Sequence, residues 1–394
     1  MHPSEMVLFS AADLLVEPAT VFADHLPAGL AGRGPRLAPR PDGTVVWTLG
    51  GVDLGAPGAG LRFAGPAPET EGPPGYAGLA AALHDPVARL RAMDAGGVHA
   101  AVSFPTSRAF TASLLRRVPD RALSAAVVSA YNDWQVDGWG AAAPGRLVPL
   151  ALLPAWDVEA AVAEVVRVAA RGVTAVAFPE LPHVADLPGF ATDHWDRLLR
   201  AVCDHDLVLC LQPAPPAEEP VAGAPFNPFA SQSDLVTPQL AAAACTDLIV
   251  SGVFSRFPGL RVAMSQGGIG WIPFLLDRID LHQRNQVWSG LDLGGRTGTE
   301  VFQQHFLSSF VTDPSSLYLR ERIGPDVIAW QAAFPAPEGT WPRSAELVHG
   351  ELLAAGATDP EIDAITGGNA ARFFRVGPPA DRAAATVGAL RSGG

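Results

Sequence analysis

The chain has 394 residues, of which 48% are hydrophobic and 17% are charged, as is typical of a globular protein with a large buried core. Its formal net charge of −13 disfavours nucleic acid and anionic membrane surfaces as partners. No apolar run is long enough to span a bilayer, and the start lacks the basic and apolar stretch of a signal peptide. We therefore expect a cytoplasmic protein.

Two residue types limit the chemistry that the chain can perform. All 27 basic residues are arginines, so no lysine can form a Schiff base with a carbonyl substrate. The three cysteines have no metal-type spacing, and their odd number argues against a disulfide framework.

In chain order, short apolar runs alternate with amphipathic stretches, which predicts βα units and a parallel sheet. An apolar run at 7–13 precedes a segment rich in Gly and Pro at about 40–85, which includes a predicted hairpin at 44–54. Asp157 is predicted to cap a helix that ends at Gly172, and another helix is predicted at 193–204. The remaining strands are predicted at 98–105, 147–154, 173–178, 207–212, 260–266, 306–312 and 327–332.

Eight strands with helices between them predict an α/β fold, a (β/α)8 TIM barrel that forms a single domain over residues 1–376. A doubly wound open sheet is the alternative, but no glycine-rich phosphate loop follows the first strand. The irregular stretch at 213–228 follows the fifth strand and is expected to roof the pocket. Residues 377–394 are predicted to form a flexible tail.

Several segments of the chain resemble the amidohydrolase-related family, which includes metal-dependent decarboxylases of aromatic acids. They are SAADLLVEP at 10–18, AYNDW at 130–134, GRLVPLALLPAWDVEAAVAEV at 145–165, SGVFSRFPGLRVAMSQGGIGWIP at 251–273 and GNAARFF at 368–374. The resemblance covers roughly residues 7–376. It implies an amidohydrolase-like barrel, a divalent metal at the strand ends and a homodimer.

The positions that hold the metal in this family carry other side chains here. The resemblance places them at Ala12, Leu14, Gln212, Gln266 and Ala333. Aliphatic and amide side chains cannot offset the desolvation of a divalent metal. The sequence therefore predicts no metal and no other cofactor, and it predicts that metal-assisted hydrolysis and decarboxylation are lost.

Four polar residues are candidates for catalysis without a metal. Glu17 follows the first strand and could act as an acid or base, or could accept backbone N–H groups in its loop. His183 follows the fourth strand and could move protons, or could be a solvated loop residue. Gln212 and Gln266 are expected to point into the barrel, where they would bind one another, water or a polar ligand.

A further set is expected to line the substrate site because its members lie near strand ends. It comprises Ala12, Leu14, Phe104, Phe178, Glu180, Trp271, Asp313, Trp330, Gln331 and Ala333. Core packing is the alternative for the aromatic members, and capping of the following helix is the alternative for Asp313.

Two classes of function remain open. The first is an enzyme repurposed for a cyclase, isomerase or lyase step on an aromatic or polyketide-like molecule in specialised metabolism. The second is a catalytically inactive binding module or partner subunit. Residual hydrolysis or decarboxylation ranks last, because nothing supplies a strong electrophile. The expected partners are a small-molecule ligand and a second copy of the chain.

Overall fold

The structure is a computed structural model that describes residues 2–58, 75–76, 79–105, 115–212, 228–336 and 338–377, without the side chains of residues 185, 212, 228–237 and 287. The predicted roof at 213–228 and the predicted tail at 377–394 therefore fall almost entirely outside the described residues. The same is true of most of the second half of the 40–85 segment.

In the described part of the chain, eleven strands form three sheets. They are β1 (Leu8–Leu15), β2 (Arg36–Pro39), β3 (Val45–Leu49), β4 (Val52–Gly55), β5 (Val98–Pro105), β6 (Leu147–Pro149), β7 (Ala175–Pro179), β8 (Val208–Gln212), β9 (Arg261–Met264), β10 (Phe306–Phe310) and β11 (Ile328–Trp330).

Eight of these strands are parallel and make the barrel. β1, β5 and β6 form one sheet, and β7 to β11 form a second sheet in chain order. A single parallel bridge, between Ala151 and Val176, joins β6 to β7. The predicted (β/α)8 barrel is confirmed, although several strands are shorter than the apolar runs that predicted them.

The barrel closes between β11 and β1 largely through side chains, and we call this junction the closing seam. The Ser10 hydroxyl accepts the Ala332 N–H at 2.8 Å. The Asp13 carboxylate accepts the Phe334 N–H at 3.2 Å and the Ser10 O–H at 2.7 Å. One backbone hydrogen bond crosses the seam, from the Leu14 N–H to the Phe334 carbonyl at 2.9 Å.

A buried arginine completes the closing seam from the outer side. The Arg89 guanidinium lies 3.4 Å from the Asp13 carboxylate and donates to the Ala82 and Leu14 carbonyls. Its centre also lies 4.6 Å from the centroid of the Phe334 ring. Arg89 belongs to the helix layer, so Asp13 faces outward, as the alternation along β1 predicts.

The helices lie between the strands as the barrel requires. They are α1 (Val21–His25), α2 (Pro86–Ala95), α3 (Arg121–Trp134), α4 (Val158–Ala169), α5 (Asp196–Asp204), α6 (Pro228–Val250), α7 (Val253–Arg256), α8 (Ile272–Asn285), α9 (Gly298–His305), α10 (Pro314–Leu317), α11 (Arg320–Ile323), α12 (Ser344–Ala354), α13 (Asp359–Asp363) and α14 (Asn369–Phe374). Asp157 caps α4 by accepting the Ala160 N–H at 3.1 Å, as predicted. Within the described ranges, every helix is too short or too polar to cross a bilayer.

The predicted hairpin at 44–54 is present as β3 and β4, and β2 adds a third antiparallel strand that the sequence did not predict. The Trp47 ring packs edge-on against Phe22, with ring centroids 5.4 Å apart. Its indole N–H donates to Glu17, which follows the C-terminal end of β1. The small sheet therefore sits against the C-terminal end of the barrel, beside β1.

The strand register assigns barrel side chains to a face, because paired residues of parallel strands point to the same side. Phe178 of β7 packs edge-on against Trp195, which precedes α5, so its face is the outer one. Its neighbour Ala177 pairs with Cys210, and both therefore point into the barrel. Both are buried, so the barrel interior is packed at this level.

Candidate functional site

The C-terminal end of β1 carries the first two positions of the candidate site. Ala12 is fully buried, whereas Leu14 is the one side chain of β1 that keeps partial exposure. Because Asp13 points outward to Arg89, Leu14 points inward, and its register partner Phe104 shares that face. Pro179, the inward partner of Gln212 on β8, is also partly exposed. The described barrel residues are thus packed below, and Leu14 and Pro179 keep partial exposure at the C-terminal end, which we call the mouth.

A hydrogen-bonded network joins the C-terminal ends of β9, β10 and β11. The side-chain oxygen of Gln331 accepts the Ser309 hydroxyl at 2.5 Å and the Gln266 backbone N–H at 3.2 Å. Ser309 also lies within 3.3 Å of the Met264 carbonyl. Gln331 is only 1% exposed, so this network lies inside the protein.

Of the two glutamines that were expected to point into the barrel, one takes part in this network through its backbone. Gln266 contributes its backbone N–H to Gln331, and the side chain of Gln212 lies outside the described residues. Ser309 was not among the predicted residues. Its signal was present in the sequence FLSSF, because Ser309 follows Leu307 at the two-residue spacing of one strand face.

Two residues at these strand ends have a left-handed backbone that L side chains rarely adopt. They are Gln266, with φ of 64°, and Ala333, with φ of 52°. Each such residue costs on the order of 1–3 kcal/mol, and such strain is concentrated at functional sites. Because β9 ends at Met264, strand alternation does not set the direction of the half-buried Gln266 side chain.

Glu17 is fully buried against the small sheet. One carboxylate oxygen accepts the Trp47 indole N–H at 2.7 Å, and the other has no hydrogen-bond partner among the described residues. Burial raises the pKa of Glu17 to about 7, against the opposing effect of hydrogen bonds from its own N–H and from Trp47. The Tyr76 hydroxyl donates to the Glu17 carbonyl at 2.6 Å. Glu17 therefore links β1 to the small sheet, and the pKa of its carboxyl group lies near neutral pH.

His183 and Glu180 follow β7 but have different surroundings. His183 is exposed in a 3-10 turn, Pro182–Ala185, whereas Glu180 is 3% exposed. Burial raises the pKa of Asp247 on α6, and the nearby His183 opposes that effect. His183 thus lies close to α6. β7 is three strands from β1 in the barrel, so His183 and Glu17 do not form a pair.

Asp313 holds the segment between β9 and α8 that contains Gln266. Its carboxylate accepts the Ile269 N–H at 3.0 Å and makes no capping bond to α10, although Asp313 occupies the N-cap position. Its own N–H donates to Glu351 of α12 at 3.3 Å, and burial together with the Asp313 charge raises the pKa of Glu351. In the same segment, the half-buried Trp271 donates its indole N–H to the Gly267 carbonyl at 3.0 Å.

Two aromatic residues that were expected to line the site lie on the outer face of the barrel. Phe178 is fully buried, and its ring centroid lies 5.0 Å from that of Trp195. Trp330 is also fully buried and pairs with Phe310, on the opposite strand face from Gln331. Both side chains pack in the core, as the alternative interpretation stated. Both faces of a barrel strand carry apolar residues, so the sequence did not show which aromatic side chains point into the barrel and which point outward.

A comparison with known families gives a clear result. The family model described as "Amidohydrolase" matches residues 78–376. The chain belongs to this amidohydrolase family. No curated protein matches the sequence significantly.

Solved structures of similar fold include amidohydrolase-family proteins from several bacteria. An amidohydrolase from Mycobacterium avium subsp. paratuberculosis has a TM-score of 0.70 at 17% identity, covering 94% of this chain and 99% of its own. The 5-carboxyvanillate decarboxylase of Sphingomonas paucimobilis has a TM-score of 0.60 at 22% identity, covering 75% and 84%. A dihydroxybenzoic acid decarboxylase from Polaromonas, with bound manganese and 2-nitroresorcinol, has a TM-score of 0.59 at 17% identity, covering 94% and 96%.

The metal that the family implies does not fit the residues of this chain. Ala12, Leu14 and Ala333 offer only carbon at the strand ends, and the Gln331 oxygen is already engaged by two donors. Within the described ranges, no group of three or more His, Cys, Asp or Glu side chains is close enough to hold a metal ion. Cys210 cannot replace the missing metal ligands, because a metal binds the thiolate and burial raises the pKa of this thiol.

Proposed function

We propose that this amidohydrolase-family protein is an enzyme that works without a bound metal. The reaction is a non-hydrolytic step of cyclase, isomerase or lyase type on a small aromatic or polyketide-like molecule. The observation that supports the proposal is the composition of the strand ends, where Ala12, Leu14 and Ala333 occupy the positions to which the resemblance assigns the family's metal ligands.

Two features favour an active site over an inactive scaffold. Leu14 and Pro179 keep partial solvent exposure at the mouth, so a ligand could contact both side chains above the packed interior. Gln266 and Ala333 retain a strained backbone that glycine would relieve. A scaffold that only packs against a partner has no need to keep either feature.

The network around Gln331 supplies the polar chemistry of the proposed site. Because Ser309 and the Gln266 N–H both bind the Gln331 oxygen, the Gln331 NH2 group is the end that we assign to the ligand. A fixed neutral donor of this kind can orient a carbonyl or hydroxyl and stabilise charge that develops on oxygen. Gln212 and Gln266 are proposed as further polar contacts to the ligand.

Glu17 and His183 are the proposed proton carriers. The pKa of about 7 makes Glu17 able to donate or accept a proton near neutral pH. Because it is enclosed by Trp47, we assign it to proton exchange at the edge of the site beside β1. The exposed His183 would exchange protons with solvent on the β7 side.

Metal analysis combined with product screening tests the proposal. Purified protein should contain no stoichiometric zinc or manganese. Its turnover of aromatic and polyketide-like compounds should give products of unchanged mass or products that have lost water. Turnover should survive a chelator and fall strongly in Gln331→Leu. Loss of activity with a chelator and recovery with zinc or manganese would contradict the proposal, and a protein without turnover that binds a protein partner would favour the inactive subunit.

A further inference from the structure

The segments that follow the barrel strands begin their charged residues mostly with carboxylates. After seven of the eight strands, the first charged residue along the chain is a carboxylate, and six of these seven lie in the described residues. These six are Glu17 after β1, Asp157 after β6, Glu180 after β7, Asp277 after β9, Asp313 after β10 and Glu338 after β11. After β5 and β8 the first charged residues are Arg108 and Glu218, which lie outside the described residues.

Arg89 donates to the Leu14 carbonyl near the end of β1 but is not directed into the mouth. The Arg89 guanidinium lies on the outer side of β1, where it contacts Asp13 and donates to the Ala82 and Leu14 carbonyls. Its side chain is 2% exposed, so these groups and the Phe334 ring enclose it. Arg89 therefore stabilises the closing seam and cannot pair with a ligand carboxylate in the mouth.

The inward surface at the mouth is apolar or neutral. Leu14 and its register partner Phe104 supply apolar contact, and Ala12 and Ala333 supply no polar group. The neutral Gln331 amide and Ser309 hydroxyl supply the hydrogen-bonding groups. A carboxylate that contacts these described residues loses its hydration and gains no cation from them, whereas a hydroxyl can still bind an amide.

We infer that the site accepts an uncharged, hydroxylated aromatic ring and rejects the same ring when it carries a carboxylate. The inference rests on the proposed function, since it concerns the ligand of the same site. The family's metal would attract a carboxylate, and the replacement of its ligands by Ala12, Leu14 and Ala333 removes that attraction. The exposed carboxylates Asp157 and Glu338 add a repulsion that acts on anions as they approach the mouth.

A matched pair of ligands tests the inference directly. Resorcinol and 2,6-dihydroxybenzoate share one hydroxylated ring and differ by a single carboxylate. Resorcinol is uncharged near neutral pH, because phenols ionise near pH 10. Titration of the full-length protein, followed by calorimetry or ligand-observed NMR, should show resorcinol binding at least about tenfold more tightly. Equal or tighter binding of 2,6-dihydroxybenzoate would overturn the inference. Failure of both compounds to bind would also overturn it.

Variants at the mouth test whether its charge sets this preference. Leu14→Arg should reverse the order of affinities, whereas Leu14→Met, which keeps size and neutrality, should retain it. If Leu14→Arg does not fold, Gln266→Lys at the half-buried strand end provides the same charge. An unchanged order in a folded Leu14→Arg or Gln266→Lys protein would contradict the inference.

The outcome is separable from that of the proposed function. Zinc or manganese in the purified protein would overturn the metal-free proposal, while the ligand preference is measured by binding alone. If the carboxylate binds better and Arg108→Gln abolishes that binding, the inference fails while the metal-free proposal stands.

Discussion

Glu17 illustrates how burial alone can give a single residue unusual acid–base behaviour. Its carboxyl group has one hydrogen bond from Trp47 and one oxygen without a described partner, in a site walled by the small sheet. The ionised form is therefore poorly stabilised, which raises the pKa of Glu17 to about 7 from an ordinary value of 4.5. Burial, together with the charge of ionised Glu17, also raises the pKa of Tyr131.

We predict that Glu17→Gln removes a pH dependence of stability. Because the pKa of Glu17 is higher in the folded state than in the unfolded chain, its stabilising contribution is complete below pH 4.5 and is lost as the pH rises to about 7. The loss is on the order of 3 kcal/mol. Urea unfolding at pH 5 and pH 8 should show Glu17→Gln more stable than the wild type at pH 8.

The exposed Glu321→Gln is the control for the Glu17 substitution and should leave the pH profile as it is. If Glu17→Gln proved less stable than the wild type at pH 8, the carboxylate would have to be stabilised by a partner outside the described residues. Loss of turnover in a more stable Glu17→Gln protein would support the proposed proton-carrier role.

The Gln331 network makes a second prediction at the residue scale. Gln331→Leu leaves the Gln266 N–H without its acceptor, at a cost of about 1–3 kcal/mol, whereas the Ser309 hydroxyl can still donate to the Met264 carbonyl at 3.3 Å. Ser309→Ala should cost less, since it removes one donor and leaves the Gln266 bond intact. In thermal unfolding, the double variant should be less destabilised than the sum of the two single variants. Strict additivity would mean that the two side chains do not interact.

At the scale of secondary-structure elements, the closing seam depends on Arg89. Arg89→Met leaves Asp13 buried without a cation, which should destabilise the fold by roughly 3–5 kcal/mol at neutral pH. Hydrogen exchange should then speed up at the Leu14 N–H, which crosses the seam. The exposed pair Arg343–Glu346 offers a control, because Arg343→Met should change stability little. A similar small effect in both variants would show that the seam does not need the buried pair.

The start of β1 is packed against the π-helical turn Ala364–Gly368. A Cβ at Gly367 would overlap the Val7 carbonyl oxygen, whereas a Cβ at Gly368 would meet the Asp363 carbonyl oxygen at an ordinary 3.5 Å. Gly367→Ala should therefore destabilise the protein by about 2 kcal/mol or more, because two backbones must separate. Gly368→Ala should be neutral or stabilising by a few tenths of a kcal/mol. Melting temperatures that fall equally in both variants would rule out this close approach.

The elements that could be predicted from sequence are those with local signals. The Asp157 cap and the apolar runs of the barrel strands depend on residues within one or two turns of each other, and these predictions are confirmed. The strand ends were overestimated where the chain leaves β geometry without an apolar break, as at the left-handed Gln266. β2 was missed because its side chains are at most partly buried. In addition, β3 and β4 alone account for the predicted hairpin, so nothing in the sequence indicated a further strand beside β3.

At the scale of the whole molecule, the site depends on pairings between distant parts of the chain. Glu17 meets Trp47 across 30 residues, and Asp13 meets Arg89 across 76 residues. No local pattern reports such contacts, so the burial of Glu17 and the seam could not be derived from the sequence. The faces of Phe178 and Trp330 were misassigned for the same reason, since an apolar run has apolar residues on both sides. The metal-free site and the homodimer stay predictions.

The two weak junctions of the barrel have a consequence for cutting the chain. β1, β5 and β6 keep their full ladder within one segment, and β7 to β11 keep theirs within another. Among the described residues, the strands of the two sheets are joined by the Ala151–Val176 bridge and by the closing seam. Helix contacts such as the ion pair between Asp133 and Arg167 add to these strand contacts. We expect that a break between β6 and α4 would give two fragments that reassemble when mixed, so that the molecule could serve as a split reporter whose two pieces signal each other's presence.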